Sequence, residues 1–368
     1  MRVLIAGGGT AGHVFPALAL ARRLAAAHGV EVHFAGTGSG QESRLVPEAG
    51  FPFATVEARP LERTLSVRAL RAPFSALASV ARCRPLVEGA DVVVGMGGYV
   101  SVPVAVAAIR ARRPLVLHEQ NAVPGLANRA LARAARTVAL SFAEAERMLP
   151  RSARTILTGN PVRERILAVP SEREVLAKEA REDLGLEADR KTVLVVGGSQ
   201  GALTLCRATV EALEPLRRRR DLQIVLLTGS AHFEAVQQSL STDDRAIVRA
   251  VPFLERMELA YAVADLVVAR AGATTIAELT VCGLPSMLIP YPYATGRHQE
   301  ANARALQRAG AATIVMDEAL TGELLAVRVT DLVDDPDRLR RMAERARAWS
   351  RPDAAQTLAE AVLEAAGP

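Results

Sequence analysis

At 368 residues, half of them apolar and only 4% aromatic, the chain is too long for one ordinary core and too apolar for disorder, so two α/β domains are expected. A net charge of +5, carried almost entirely by arginine, admits an anionic partner, but no basic cluster interleaved with aromatics points to nucleic acid, and none is expected. Cys83, Cys206 and Cys282 are far apart with no CxxC pair, so neither a disulfide framework nor a zinc site is indicated and a reduced cytoplasm is the simpler reading; no signal peptide or membrane span is expected, so any membrane contact is peripheral.

The first strand, residues 3–6, runs into Gly7-Gly8-Gly9-Thr10-Ala11-Gly12-His13 and then into an apolar helical pattern. A glycine-rich turn of this kind aims backbone N–H groups at whatever sits on the helix N-terminus, where the dipole also favours negative charge. Gly7, Gly9 and Gly12 satisfy G-x-G-x-x-G, yet residues 31–35, the second strand, run into Gly36-Thr37-Gly38 with no acid at the tip to hold a ribose. A dehydrogenase reading therefore loses its second half, and neither glycine loop of the chain carries Gly-Lys-Ser/Thr. His13, in the first helical turn, is a candidate base because the dipole disfavours its cationic form; a local cap is the alternative. The other five histidines show no metal spacing, and no metal is expected.

Further strands are expected at 53–56, 91–95, 114–117, 137–140 and 155–157, continuous and β-branched as in a parallel sheet covered on both faces. Between them, Val67, Leu70, Phe74 and Leu77 recur at helical spacing with Arg68, Arg71, Arg82 and Arg84 nearby. A helix packed on the sheet is favoured there over a membrane-facing one. The preceding loop, with Arg59, Leu61, Arg63 and Leu65, is the better candidate for anionic headgroups. Gly95-Met96-Gly97-Gly98-Tyr99-Val100-Ser101 and His118-Glu119-Gln120-Asn121 each follow a strand and so fall at the carboxyl edge of the sheet, where ligands bind in this architecture. A structural hydrogen-bond network is the alternative for both.

Near Asn160-Pro161-Val162-Arg163 the alternation pauses, which places a linker, and residues 171–184 read as a charged helix closed by Gly185. Strands resume at 193–196, 223–227, 246–251, 266–269, 286–289 and 312–315. After the first of these, Gly197-Gly198-Ser199-Gln200-Gly201-Ala202 repeats the N-terminal device, with Ser199 and the loop N–H groups suited to a diphosphate. In Arg270-Ala271-Gly272-Ala273-Thr274-Thr275-Ile276-Ala277-Glu278, Glu278 suits both hydroxyls of a ribose, or is a solvent-facing helix acid. His298-Gln299-Glu300-Ala301-Asn302 supplies amides for sugar hydroxyls. Asp335-Pro336 reads as an N-cap with proline at the first helical position, Pro352 interrupts that helix, and residues 354–366 form a last one.

Gly8 to Pro16, Gly95 to Ser101, His118 to Asn121 with Gly125-Leu126-Ala127-Asn128, Gly159 to Arg163, Gly197 to Ala202, and Arg270 to Glu278 with Gly283-Leu284-Pro285 together span nearly the whole chain. In these segments and their order the chain resembles the MurG family of bacterial glycosyltransferases. The resemblance implies an α/β GT-B fold of two Rossmann-like doubly wound parallel-sheet domains facing a cleft: residues 1–162 with a C-terminal helix, 353–368, crossing back, and residues 163–350. It implies inverting transfer of N-acetylglucosamine from UDP-N-acetylglucosamine to the 4-hydroxyl of undecaprenyl-linked N-acetylmuramoyl-pentapeptide. That step makes lipid II from lipid I for peptidoglycan, at the cytoplasmic face of the inner membrane, on an anionic surface and with no cofactor. By the same resemblance Phe253 and Leu254 contact uracil through their backbone, Glu278 the ribose, Ser199 with Gln200, Gly201 and Arg163 the diphosphate, and Gln299 the sugar. Ala273, Thr274 and Thr275 join them in binding the donor. Thr10, Ala11, Gly12, His13 and Asn121 meet donor sugar and acceptor, with His13 the first candidate base and Glu119 the second.

Ala11 stands where that family commonly has glycine, Ala271 where serine is frequent, and Gly296 and Arg297 where acids often precede the His-Gln pair. A UDP-sugar epimerase of the same architecture, a glycosyltransferase with another acceptor and a noncatalytic nucleotide-binding module are the alternatives, the first distinguished by extra carboxylates and the last by tolerance of losing His13 and Asn121.

Overall fold

Apolar β-branched runs alternating with helices build two fully parallel sheets. In the computed structural model, which describes residues 1–27, 29–57, 67–198 and 201–367, with the side chains of residues 11 and 67–77 left undescribed, the chain divides into two units, Met1–Arg163 with Pro352–Pro368, and Glu164–Arg351. The first unit holds β1 (Arg2–Ala6), β2 (Glu31–Gly36), β3 (Phe53–Thr55), β4 (Val92–Gly95), β5 (Leu115–Glu119), β6 (Thr137–Leu140) and β7 (Thr155–Leu157), in the order β3-β2-β1-β4-β5-β6-β7. The second holds β8 (Lys191–Val196), β9 (Leu222–Leu227), β10 (Val248–Val251), β11 (Leu266–Ala269), β12 (Ser286–Leu288) and β13 (Ala312–Ile314), in the order β10-β9-β8-β11-β12-β13.

Each order reverses at its first strand. β1 lies between β2 and β4, with Ala6 level with Gly95; β8 lies between β9 and β11, with Val196 level with Ala269. Loops leaving such adjacent strands diverge to opposite faces and open a crevice at the carboxyl edge. Both glycine-rich loops, after β1 and after β8, stand at these switch points.

The period-2 alternation of strand side chains divides the first core in two. Val3, Ile5, Val92 and Val94 pack under Leu20 and Leu24 of the helix Ala11–Ala25 and under Leu358 and Val362 of the last helix, Ala354–Ala366. Leu4 and Val93 face Val104 and Ala108 of the helix Ser101–Arg110 and Val80, Cys83 and Val87 of the helix Val67–Glu88. Each such side chain stabilises by about 1.5–3 kcal/mol, so the last helix is bound firmly into the first unit's core. In the second unit Val193 and Val195 pack on Leu205 and Leu213 of the helix Leu203–Leu216 and on Leu325 and Val329 of the helix Gly322–Val333. Asp335 caps the helix Pro336–Trp349 through the Arg338 N–H at 2.8 Å.

One boundary differs in a way that bears on function. β5 continues beyond residue 117, pairing His118 with Ala139 and Glu119 with Leu140 of β6. His118 and Glu119 are therefore buried strand residues, and the loop begins only at Gln120.

Candidate active site

In the first unit the loop after β1 and the loop after β4 pack directly on each other. Gly98, at φ +78, passes so close that a Cβ would lie 2.4 Å from the Gly8 carbonyl oxygen. Beside it, Gly97 presents bare backbone to the imidazole of His13, where a Cβ would meet Cδ2 at 2.9 Å. His13 is half-buried in the first turn of the helix Ala11–Ala25, and its Nδ1 lies 3.0 Å from the Thr10 hydroxyl. A hydroxyl donating to Nδ1 fixes the tautomer with the proton on Nε2; a Nδ1–H donating to Thr10 leaves Nε2 as the acceptor a base requires.

No acid stands at the β2 tip itself, but the next helix brings one beside it. Glu42, 1% exposed at the start of the helix Glu42–Glu48, comes back to that place. It is turned inward: Oε1 accepts from the Thr37 N–H at 3.0 Å and hydroxyl at 2.7 Å, and Oε2 from the Gly9 N–H at 2.9 Å. Burial opposes its ionisation, but the Thr37 hydroxyl and the Gly9 and Thr37 N–H groups outweigh that and hold its pKa below the ordinary carboxylate value. The Gly9 N–H that a nucleotide phosphate would take is thus occupied by the protein's own carboxylate. Sequence reasoning missed Glu42; the available signal was its room, since a Cβ at Gly8, Gly36 or Gly40 would collide with it.

Glu119, at the end of β5, is 3% exposed, and both its oxygens are engaged. Oε1 accepts from the Asn121 N–H at 3.0 Å, and Oε2 from the Gly125 N–H at 3.0 Å and Asn128 Nδ2 at 2.8 Å. This speaks against Glu119 as a competing base: the carboxylate is spent folding the loop that holds half-buried Asn121. His118 is fully buried, with Nε2 3.1 Å from the Gly159 carbonyl and 3.3 Å from the Ser141 hydroxyl. Burial pushes its pKa down to about 4; the Gly159 carbonyl opposes this and a charge on His13 adds to it. Arg163 ends the first unit, with its guanidinium carbon 4.5 Å from the centroid of the Phe15 ring. Thr10 is exposed and Gly12 half-buried, while the side chain of Ala11 lies outside the described residues, as do Arg59, Leu61, Arg63 and Leu65.

In the second unit the Arg270 N–H, just after β11, donates to the carbonyl of Val196 at the end of β8 at 3.3 Å. Ser199 and Gln200 lie outside the described residues. Gly201, at φ +76, runs so close to the neighbouring loop that a Cβ would sit 2.1 Å from the Thr228 carbonyl oxygen. Gly272 caps the helix Ala273–Cys282, with Ala273 buried and Thr274 and Thr275 half-buried in its first turn. Glu278 is 5% exposed, not solvent-facing, and its Oε2 accepts from the buried Tyr261 hydroxyl at 2.9 Å. After β10, Phe253 stands 57% exposed with Leu254 half-buried beside it. Gln299 is half-buried in the helix His298–Arg308, its Oε1 accepting from the Tyr291 N–H at 3.0 Å. Asn302, expected among the amides for sugar hydroxyls, is wholly buried and donates to the Ala271 carbonyl at 3.2 Å.

The expected residues that are described therefore form two groups at the carboxyl edges of their own sheets. The first has a positioned imidazole and an ordered asparagine; the second has a glycine loop, a helix start, a buried carboxylate and a fixed amide. Among the described residues no cluster of three or more His, Cys, Asp or Glu side chains is arranged to hold a metal ion, and no helix is long and apolar enough to cross a membrane.

The glycosyltransferase family 28 N-terminal domain matches residues 3–140 and the family 28 C-terminal domain matches residues 192–358. The UDP-N-acetylglucosamine–N-acetylmuramyl-(pentapeptide) pyrophosphoryl-undecaprenol N-acetylglucosamine transferase of Halothermothrix orenii is 42% identical, over 100% of this chain and 99% of its own. The crystal structure of Acinetobacter baumannii MurG superposes with a TM-score of 0.79 at 32% identity, covering 99% of both chains. The UDP-GlcNAc 2-epimerase of Neisseria meningitidis, at 13% identity and a TM-score of 0.70 over 99% of this chain and 100% of its own, shares the fold alone.

Proposed function

The chain belongs to glycosyltransferase family 28, and from that premise we propose that it transfers N-acetylglucosamine, with inversion, from UDP-N-acetylglucosamine to the 4-hydroxyl of a pyrophosphoryl-undecaprenol-linked N-acetylmuramyl-pentapeptide. The observation that carries the reading is full-length identity of 42% to a transferase so named, in a chain whose first unit holds His13 at its switch point.

The reaction is a single displacement. His13 takes the proton of the acceptor hydroxyl through Nε2 while the oxygen attacks the anomeric carbon from the face opposite the departing UDP. Thr10 accepts from Nδ1–H and keeps the ring aimed, and Asn121 orients the reacting sugars. Charge grows on the diphosphate as the bond breaks. The loop around Ser199, Gln200 and Gly201, at the N-terminus of the helix Leu203–Leu216, meets that charge with N–H groups and a helix dipole, and Arg163 adds a guanidinium. Phe253 and Leu254 take the uracil, Ala273 to Thr275 line the nucleotide, Glu278 accepts the ribose hydroxyls and Gln299 donates to the sugar. The enzyme works as a peripheral protein on the anionic cytoplasmic face of the inner membrane, where its lipid acceptor resides and where cell shape and division depend on peptidoglycan supply.

Incubation of the full chain with radiolabelled UDP-N-acetylglucosamine, with and without the lipid-linked muramyl acceptor, tests the reading. Label entering the lipid phase only with acceptor is expected. An isomerised sugar without acceptor, or retention of unchanged nucleotide, overturns it.

A further inference from the structure

At the carboxyl edge of the second unit's sheet, Arg270 and Asp317 pair at 2.5 Å with side-chain exposures of only 10% and 14%. Two charges withdrawn from water are costly unless the surrounding geometry uses them. Here Asp317 Oδ1 neutralises the guanidinium by proximity, without a hydrogen bond, and leaves its N–H groups for backbone: Arg270 Nη1 donates to the carbonyls of Ile289 at 3.2 Å and Pro290 at 3.4 Å, and the guanidinium lies 5.5 Å from the centroid of the Tyr291 ring. The exit of β12 is thereby pinned by two carbonyls and a ring. The next N–H along, that of Tyr291, donates to Gln299 Oε1 at 3.0 Å, which fixes the amide so that its NH2 group turns away from that backbone. The other carboxylate oxygen of Asp317 accepts from the Thr204 hydroxyl at 3.4 Å, and Thr204 lies in the first turn of the helix that follows the second glycine loop.

We infer that Asp317 is a positioning residue, aligning the sugar-binding amide of Gln299 with the diphosphate loop so that this unit holds a nucleotide carrying a sugar better than the bare nucleotide. The inference rests on the donor reading of the second unit. An unheld glutamine loses rotamer freedom on binding a hydroxyl, whereas one already tied to the backbone does not. Asp317 touches no substrate; it acts through Arg270, the β12 exit and the Tyr291 N–H. Removing its charge releases that chain while leaving the helix start at Ala273 in place.

The test uses the full chain with Asp317→Asn, which keeps the volume, and Arg270→Lys, which keeps the charge and loses the planar guanidinium. For both, KM for UDP-N-acetylglucosamine rises about tenfold, matching Gln299→Ala, while Kd for UDP by titration calorimetry stays within about twofold. Asp317→Asn combined with Gln299→Ala is no worse than Gln299→Ala alone, because both act on one contact. UDP affinity that weakens in step with KM in the folded Arg270→Lys protein, or effects that multiply in the double variant, overturns the inference and leaves the donor reading standing. Failure of the unaltered protein to bind UDP overturns the donor reading, and this inference with it.

Discussion

The backbone N–H of Gly9 donates to the Glu42 carboxylate at 2.9 Å, so the first glycine loop is shaped by an acid from beyond the next strand. Three donors converge on a carboxylate that is 1% exposed, and together they hold its pKa low against the cost of burial. A group whose folded pKa is depressed contributes stability above its unfolded value and loses it as pH falls through the folded one. Glu42→Gln places an NH2 group against N–H donors, and is expected to lower stability at pH 7 by about 1–3 kcal/mol. The gap to the unaltered protein narrows in acid. Calorimetric melting at pH 7 and near pH 3.5 checks this; an equal gap at both values contradicts it.

His118 carries a second pH signature, of different origin. Burial pushes its pKa down to about 4 from an ordinary 6.5, so between those values the unfolded chain binds a proton that the native state refuses. Stability is therefore expected to fall as pH drops from about 6.5 to about 4. His118→Gln flattens that window and leaves the steeper loss below it, where Glu42 and other carboxylates protonate. Nitrogen-detected titration of the imidazole provides an independent measurement: His118 remains neutral at pH 5.5, and a protonated ring there refutes the assignment.

Gly201 makes the second loop's path possible. At φ +76 and with a Cβ position 2.1 Å from the Thr228 carbonyl oxygen, any side chain forces the loop off that neighbour. Gly201→Ala is expected to weaken UDP binding at least tenfold, since displaced N–H groups no longer converge on the diphosphate. Titration of UDP decides it, with Gly29→Ala as the comparison: Gly29 also has positive φ, but no atom lies within 4 Å of its Cβ position, and it stands at the opposite edge of the other unit's sheet. Equal UDP affinity in both variants refutes the loop's role.

Continuous β-branched runs identify buried parallel strands without any knowledge of partners, which is why the two sheets could be read along the chain. Side-chain commitments across the fold could not. Glu42 follows the β2 tip by a short loop and looks unremarkable until Gly8, Gly36 and Gly40 are seen to clear space for it. Asp317 and Arg270 are separated by two strands, so nothing local marks them as a pair. The run His118-Glu119-Gln120-Asn121 was visible as polar residues after an apolar strand. Only the pairing of β5 with β6 reveals that its first two members are buried, that Glu119 bonds to the following loop and that His118 bonds to Gly159 and Ser141 instead.

That distinction separates the two candidate bases. The Glu119 oxygens accept from Asn121, Gly125 and Asn128, whereas the half-buried His13 ring lies beside Thr10 and Gly97 at the carboxyl edge of the sheet. If His13 is the base, the acidic limb of kcat/KM against pH belongs to its imidazole. His13→Ala is then expected to cut kcat by about a hundredfold to ten-thousandfold, leave donor KM within about threefold, and abolish that limb. Glu119→Gln, in contrast, loosens the loop bearing Asn121 and lowers turnover while the limb persists with its midpoint unchanged. The profile of kcat/KM from pH 5 to 9 for both variants settles which group removes the proton. A limb that survives His13→Ala and vanishes in Glu119→Gln reverses the assignment.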